Sequence, residues 1–460
     1  MTKLILTTLM SALVACHQVD NPKERFMNWA PKGKIIDNVI CKSNQSLGYC
    51  LYLPSNYNIS RTWPVIYCFD PKGDGKLPIS LLKDIAEKLG YIVIGSNNSK
   101  NGINPDYLGL IVNTLLEDTK EKLAIDPKRL YTAGFSGGSR IACSIALTYG
   151  IINGVIACSA GFVTQQGQSL FNVIGIAGNK DMNYLEVKKL DEMLDNWPVE
   201  HQFLIFDGKH HWPPKQFLNQ AITMLELFAM KSKLTDRDDK LIHGFITDNS
   251  VRINKLMQYN NIDSLVKAYK WLKNTVQALK GLTNDDSLTK QFDALSHRVD
   301  LKAYLEKEKK IETQEADRQD ELQKAYTIKP LDWWKNEVMQ LQKVSKNTTD
   351  ALESLSATRL LAYISLMSYS YVNATISRYD WNTATQYLTI YGLADPDNPD
   401  YHYFMACLQT NNGENEKAFS SLKKAVSFGF KDLNKLHNDP LIQSLRERKD
   451  FDEVLKQAEK

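Results

Sequence analysis

Leu130-Tyr131-Thr132-Ala133-Gly134-Phe135-Ser136-Gly137-Gly138 decides how this chain is read. Leu130 to Ala133 has the composition of a strand, and Gly137 to Tyr149 has the apolar spacing of a helix. A strand running into a helix through Gly-Phe-Ser-Gly-Gly puts Ser136 on a tight turn, the context that the pattern G-x-S-x-G requires. Backbone at such a turn is strained, and side chains at the flanking glycines would collide with neighbouring turns. The helix opening at Gly137 points its free N–H groups toward the serine. The competing reading is a glycine-rich turn in which Ser136 serves only as an N-cap.

Outward from this segment, strands and helices alternate. Val39–Cys41 and Tyr49–Leu53 read as short strands around a turn. Val65–Phe69, Tyr91–Ile94, Val155–Cys158, Val173–Ala177 and Gln202–Phe206 are apolar runs of the kind that is buried on both faces of a sheet. Leu77–Leu89, Asp106–Leu123, Leu185–Asn196 and Gln216–Lys231 carry helical spacing. The alternation predicts an α/β fold, a doubly wound and mostly parallel sheet covered on both faces. With the elbow at Ser136, residues 34–231 resemble the α/β-hydrolases.

That resemblance implies a serine nucleophile followed in chain order by an acid and then a histidine. Asp181, in Gly178-Asn179-Lys180-Asp181, follows a strand where the acid is expected. Its bland alternative is a helix cap, and Asp207 is its rival. His210 and His211 follow the last strand in Gly208-Lys209-His210-His211-Trp212-Pro213. This looks like the G-x-H-x-W-P segment of extracellular esterases related to feruloyl esterases and polyhydroxyalkanoate depolymerases, in which the first histidine is the base. Ser136, Asp181 and His210 are therefore the expected catalytic set. His201 lies at the wrong end of its strand. His243, His297, His402 and His437 fall in the helical part, as surface or packing residues.

An oxyanion requires two preorganised donors. Gly137 N–H is the first expected one. Relatives often carry His-Gly in the loop after Val65–Phe69, but this chain has Asp70-Pro71, and Pro71 has no N–H. Asp70 is then the second expected donor. The loop Gly95 to Gly102 would lie at the same edge of the sheet, where ligands bind in open α/β folds. Asn97 and Asn98 are its candidate substrate contacts, suited to a hydroxylated carrier such as a sugar, although such a loop is also simply a good turn. Trp212 and Tyr184 are candidates to line the pocket. Only about a dozen residues separate Cys158 from Phe171, so no large lid domain fits there and an open pocket is expected.

Beyond Lys231 the strand-like runs vanish, and residues 240–460 read as all-helical. The heavily charged stretch Lys302–Lys324 predicts a long exposed helix. Ala384 and Ala418 are 34 residues apart, as are Tyr391 and Ala425. Small residues at this period resemble tetratricopeptide repeats over about 365–432, with Phe430 where proline is usual. Coincidental alanines in an ordinary helical bundle are the alternative.

At the N-terminus, Lys3 precedes an uncharged segment, Leu4 to Ala15, too short to span a bilayer and suited to a secretory signal over residues 1–15. Leu13-Val14-Ala15-Cys16 resembles the lipobox of bacterial lipoproteins, which implies lipidation at Cys16 and an exported, tethered protein on a bacterial membrane, periplasmic or at the cell surface. Residues 16–33 read as a linker. Of the other cysteines, Cys68 and Cys143 read as buried hydrophobes, while Cys41 and Cys50 flank a turn and a bridge between them is left open. No cofactor is called for, and no Cys/His spacing suggests a metal. A net charge of +3, from 56 basic and 53 acidic residues, makes no electrostatic case for nucleic acid.

Together these features predict a serine hydrolase acting on a small-molecule or polysaccharide-linked ester, with a protein partner for the helical repeats. A peptidase resembling prolyl-oligopeptidases uses the same triad. A non-catalytic scaffold is the alternative from a different class.

Overall fold

The computed structural model describes residues 21–162, 171–259, 261–283 and 286–459. The expected signal segment and Cys16 lie outside the described residues. Part of the expected linker is a helix, α1 (Pro22–Trp29). Asn21 caps it by accepting the Lys23 N–H at 3.1 Å, Pro22 suits its first turn, and Phe26 is buried.

The apolar runs become the strands of one sheet. In chain order the elements are β1 (Ile35–Ile40), β2 (Gly48–Tyr52), β3 (Trp63–Phe69), α2 (Lys76–Leu89), β4 (Ile92–Ser96), α3 (Pro105–Lys122) and β5 (Ile125–Phe135). They continue as α4 (Gly137–Tyr149), β6 (Gly154–Cys158), β7 (Asn172–Gly178), α5 (Tyr184–Leu194), β8 (His201–Phe206) and α6 (Lys215–Lys231). The spatial order is β1-β2-β4-β3-β5-β6-β7-β8. The β1–β2 and β2–β4 pairings are antiparallel and all later ones parallel. This is an α/β-hydrolase sheet, with β5 and its elbow near the middle.

Alternation along the strands feeds two cores. Cys50, Tyr52, Ile66 and Val93 pack with α2 and α6 on one face, while Tyr49, Leu51, Val65 and Ile94 pack with α3 and α4 on the other. The same parity settles the open question of a bridge. Cys41 belongs to the second core and Cys50 to the first, and both thiols are free. Burial pushes the Cys41 thiol up to about 11 and those of Cys50 and Cys143 to about 12, which leaves them inert.

After α6 every described element is helical: α7 (Asp239–Met257), α8 (Ile262–Leu279), α9 (Asp286–Ser296), α10 (Val299–Ile328), α11 (Leu331–Ser345), α12 (Ala351–Ile376), α13 (Trp381–Ala394), α14 (Pro399–Asn411) and α15 (Asn415–Ser427), then the short α16 (Leu433–Asn438), α17 (Gln443–Arg446) and α18 (Phe451–Ala458). The change of element type at 231–239 is not a change of core. Ile242, Phe245, Ile253, Trp271 and Leu272 join the core formed by the sheet, α2 and α6. In α12–α15, Ala384, Ala406, Ala418 and Ala425 are fully buried where helices of successive hairpins meet. Helix α10 is not simply an exposed rod, since Glu312 and Glu315 on it are buried. No helix among the described residues is long and apolar enough to cross a membrane.

Candidate active site

Ser136 has φ 52° and ψ −120°, a backbone conformation that L-residues rarely adopt. Packing maintains it. A Cβ on Gly134 would lie 2.2 Å from the Gly138 carbonyl oxygen, and one on Gly138 would lie 2.0 Å from that of Phe69. Strand β5, the start of α4 and the end of β3 therefore touch backbone to backbone, which only glycine permits. The Ser136 N–H donates to the Cys158 carbonyl at 2.8 Å, tying the turn to β6.

His210 reaches this serine from the loop after β8. Its Nε2 is 2.9 Å from Ser136 Oγ, and its Nδ1 is 2.9 Å from Asp181 Oδ1. A carboxylate only accepts, so Nδ1 carries the proton and Nε2 is left to receive that of Ser136. Asp181 is fully buried, and its Oδ1 also accepts the Asn183 N–H at 2.9 Å. His211 turns away, its Nδ1 2.7 Å from the Trp212 carbonyl. Asp207 is exposed and pairs with Lys180 at 2.9 Å. His201 opens β8, with Nδ1 2.8 Å from Asp191.

The acid and histidine loops are clasped by one residue whose importance nothing in the sequence marks. The Asn179 N–H donates to the Phe206 carbonyl at 2.8 Å, and its Oδ1 accepts the Gly208 N–H at 3.1 Å. The Lys180 N–H donates to the Gly208 carbonyl at 2.9 Å. A Cβ on Gly178 would lie 2.2 Å from that same oxygen, so both glycines are needed for the loops to meet.

The Asp70 backbone, the expected second oxyanion donor, lies near the elbow. The Cβ position of Gly138 is 3.1 Å from Asp70 N, which sets the Asp70 backbone beside the first turn of α4. The Asp70 side chain is buried, with Oδ1 accepting the Lys72 N–H and Oδ2 the Trp212 indole N–H, both at 2.8 Å. Trp212 is thus a brace between the Asp70 loop and the histidine loop. It is 9% exposed and tilts against Phe135, whose ring lies 4.7 Å from that of His210.

Three of the expected pocket residues are engaged elsewhere. Asn97 Nδ2 donates to Asp37 and Asn38, and Asn98 Oδ1 accepts the Gly48 N–H, so both serve the β1–β2 hairpin. Tyr184 is buried, with its hydroxyl donating to Glu312. From the same polar loop it is Asn101 that reaches the elbow: a Cβ on Gly137 would lie 1.7 Å from Asn101 Oδ1. The Asn101 N–H anchors the loop on the Pro71 carbonyl at 2.9 Å. The segment between Cys158 and Phe171, expected to leave the pocket open, falls largely outside the described residues.

A cavity of about 380 Å³ lies on the helical side of the Asp181 loop, lined by residues such as Phe206, Phe217, Arg252, Trp271, Glu312 and Arg359. It includes neither Ser136 nor His210, so it belongs to the seam with the helices and not to the serine. No group of His, Cys, Asp or Glu among the described residues is arranged to hold a metal.

No protein-family model and no curated protein matches this chain. Among solved structures it is similar to the fluorophosphonate-binding serine hydrolase F of Staphylococcus aureus, at 14% identity and a TM-score of 0.35 over 42% of this chain and 97% of that one. It is also similar to a hyperthermophilic esterase from the archaeon Pyrobaculum calidifontis (12%, 0.36, 45% and 92%) and to the Bacillus cereus carboxylesterase (19%, 0.32, 40% and 96%).

Proposed function

We propose that this chain is a serine hydrolase of carboxylic esters. The observation that carries the reading is the relay from Ser136 Oγ through His210 to Asp181, two contacts of 2.9 Å ending on a buried carboxylate. In the reaction, His210 Nε2 takes the Ser136 proton as Oγ attacks the ester carbonyl carbon. Asp181 holds the imidazole in the required tautomer and stabilises its cation. The oxyanion is received by the N–H groups of Gly137 and Asp70. His210 then protonates the departing alkoxide, leaving an acyl-Ser136 and an alcohol. Water, deprotonated by His210, attacks the acyl group and releases the acid.

The polar loop ending at Asn101 supports an acyl group carried on a hydroxylated, carbohydrate-like alcohol. The lipobox-like segment at Cys16 supports a tethered, exported protein, and the 34-residue period supports a protein partner on tetratricopeptide-like hairpins. The relay is tested with a fluorophosphonate probe on the full chain. Labelling should map to Ser136 and vanish in Ser136→Ala, and aryl acetates should turn over. No labelling of the folded protein would sink the enzyme reading, and turnover of peptide amides alone would sink the ester.

A further inference from the structure

The loop that carries Asp181 is held on its outer side by a guanidinium that lies far along the chain. Arg359 on α12 donates from Nη1 to the carbonyl of Asn179 at 2.8 Å. Asn179 is the clasp between the acid and histidine loops, and it lies two residues before Asp181. The rest of the guanidinium is fixed by Glu315 on α10, with Nε to Oε1 at 2.8 Å and Nη2 to Oε2 at 2.5 Å. Both side chains are almost fully buried, at 5% and 0% exposure. The guanidinium also lies 4.7 Å from the centroid of the Tyr184 ring. Tyr184 follows the acid on its other flank, where its N–H donates to the Asp181 carbonyl at 3.0 Å and its hydroxyl to Glu312 of α10. Lys188, one turn along α5, pairs with the same Glu312.

We infer that Arg359 is a positioning residue for the reaction at Ser136, acting through the Asn179 carbonyl to hold Asp181 in register with His210. The inference rests on the proposed Ser136–His210–Asp181 chemistry. A planar fork suits this task, because three donors in fixed directions satisfy Glu315 twice and still reach a backbone oxygen. A lysine can replace the charge but not the three directions. The role also explains why Glu315, a carboxylate of a highly charged helix, is buried: it orients the cation that faces the acid loop.

The test uses the full chain, with p-nitrophenyl acetate turnover and fluorophosphonate labelling as readouts. Arg359→Lys, Arg359→Gln and Glu315→Gln are compared with the parent, each also in an Asp181→Asn background. Arg359→Lys and Arg359→Gln should lower kcat by about 10–100-fold, the scale of a catalytic group displaced by about 1 Å, with KM nearly unchanged. In the Asp181→Asn background the same changes should cost almost nothing further, because two changes acting through one group are not additive. A merely structural role would lower the melting temperature and give equal losses in both backgrounds, and that result would overturn the inference, as would an unchanged kcat. If Arg359→Gln does not fold, Arg359→Lys decides. If that fails too, Glu315→Gln, which retains the guanidinium but releases one of its anchors, must show the same non-additivity or the inference falls. A folded parent chain that neither turns over ester nor takes the probe would mark the failure of the underlying reading, and the positioning role would fall with it.

Discussion

Trp212 shows how a single side chain here serves the geometry of two loops at once. Its indole N–H is the partner of a buried carboxylate, Asp70 Oδ2, and its ring supports Phe135 and through it His210. Trp212→Phe leaves a smaller aromatic ring and removes the donor. A buried acceptor left unpaired costs about 1–3 kcal/mol. The variant should lose that much in a urea titration, and ester turnover should fall because the brace between the Asp70 and His210 loops is gone. Unchanged stability would show that Asp70 does not depend on this bond. At this scale the sequence is uneven as a guide. Ser136, Asp181 and His210 were legible because a strained turn, an acid after one strand and a histidine after the next leave marks in residue type and order. Asn179 and Arg359 were not. Asn179 works largely through backbone groups, which every residue has, and its partner Arg359 is 180 positions away. The polarity of their loop suggests Asn97 and Asn98 as pocket residues, but a polar loop is equally a good partner for a neighbouring hairpin, and that is where their amides go.

Among elements, those with both faces buried were the most legible. A run such as Val155–Cys158 admits little but an inner strand, and its residues are fully buried. Helix α10 was the least legible. Its mixture of charges resembles a solvated face, and nothing local reveals that Glu312 and Glu315 meet Lys188, Tyr184 and Arg359. Helix α6 hides a further carboxylate, Glu226, which is buried against the sheet near Tyr91, with Arg129 Nη1 at 3.5 Å. Burial holds this carboxyl above its ordinary value of 4.5, against the pull of the Tyr91 hydroxyl and the Arg129 guanidinium. A pKa raised in the fold means that the proton is bound more tightly there than in the unfolded chain. The resulting stability is fully present below 4.5 and is lost as pH rises through the folded value. Glu226→Gln cannot titrate. Its stability relative to the parent should therefore rise between pH 4.5 and neutrality, as followed by denaturant titrations across that range. A pH-independent difference would mean that Glu226 ionises as readily folded as unfolded.

At the scale of the molecule, the helices after Lys231 complete the sheet-bearing part. Phe217 of α6 meets Trp271 of α8 with ring centroids 5.6 Å apart, and Arg252 of α7 lies over both rings. Asn274 Nδ2 donates to the Phe203 carbonyl on the outer strand β8 at 2.8 Å. Burying one large apolar side chain is worth roughly 1.5–3 kcal/mol. A handful of them, among them Ile242, Phe245, Trp271 and Leu272, is comparable with the whole net stability of a domain, about 5–15 kcal/mol. A chain ending at Asp238 would expose the matching face of α6 and β8 and would also lose Arg359. It should aggregate or melt far below the full chain, and neither take the fluorophosphonate probe nor turn over aryl acetate. A chain ending at Ala394 keeps α7–α13, with Glu315 and Arg359 in place, and removes α14–α18, which cover Val372 and Ile376 of α12 and Ala384, Leu388 and Tyr391 of α13 in a core separate from the one shared with the sheet. It should retain probe labelling and turnover, with a lower melting temperature. Equal activity in both truncations would show that the sheet needs neither the shared core nor Arg359. Loss in both would extend the dependence to the last hairpins, where Asp400 of α14 lies within electrostatic reach of Lys72 on the Asp70 loop.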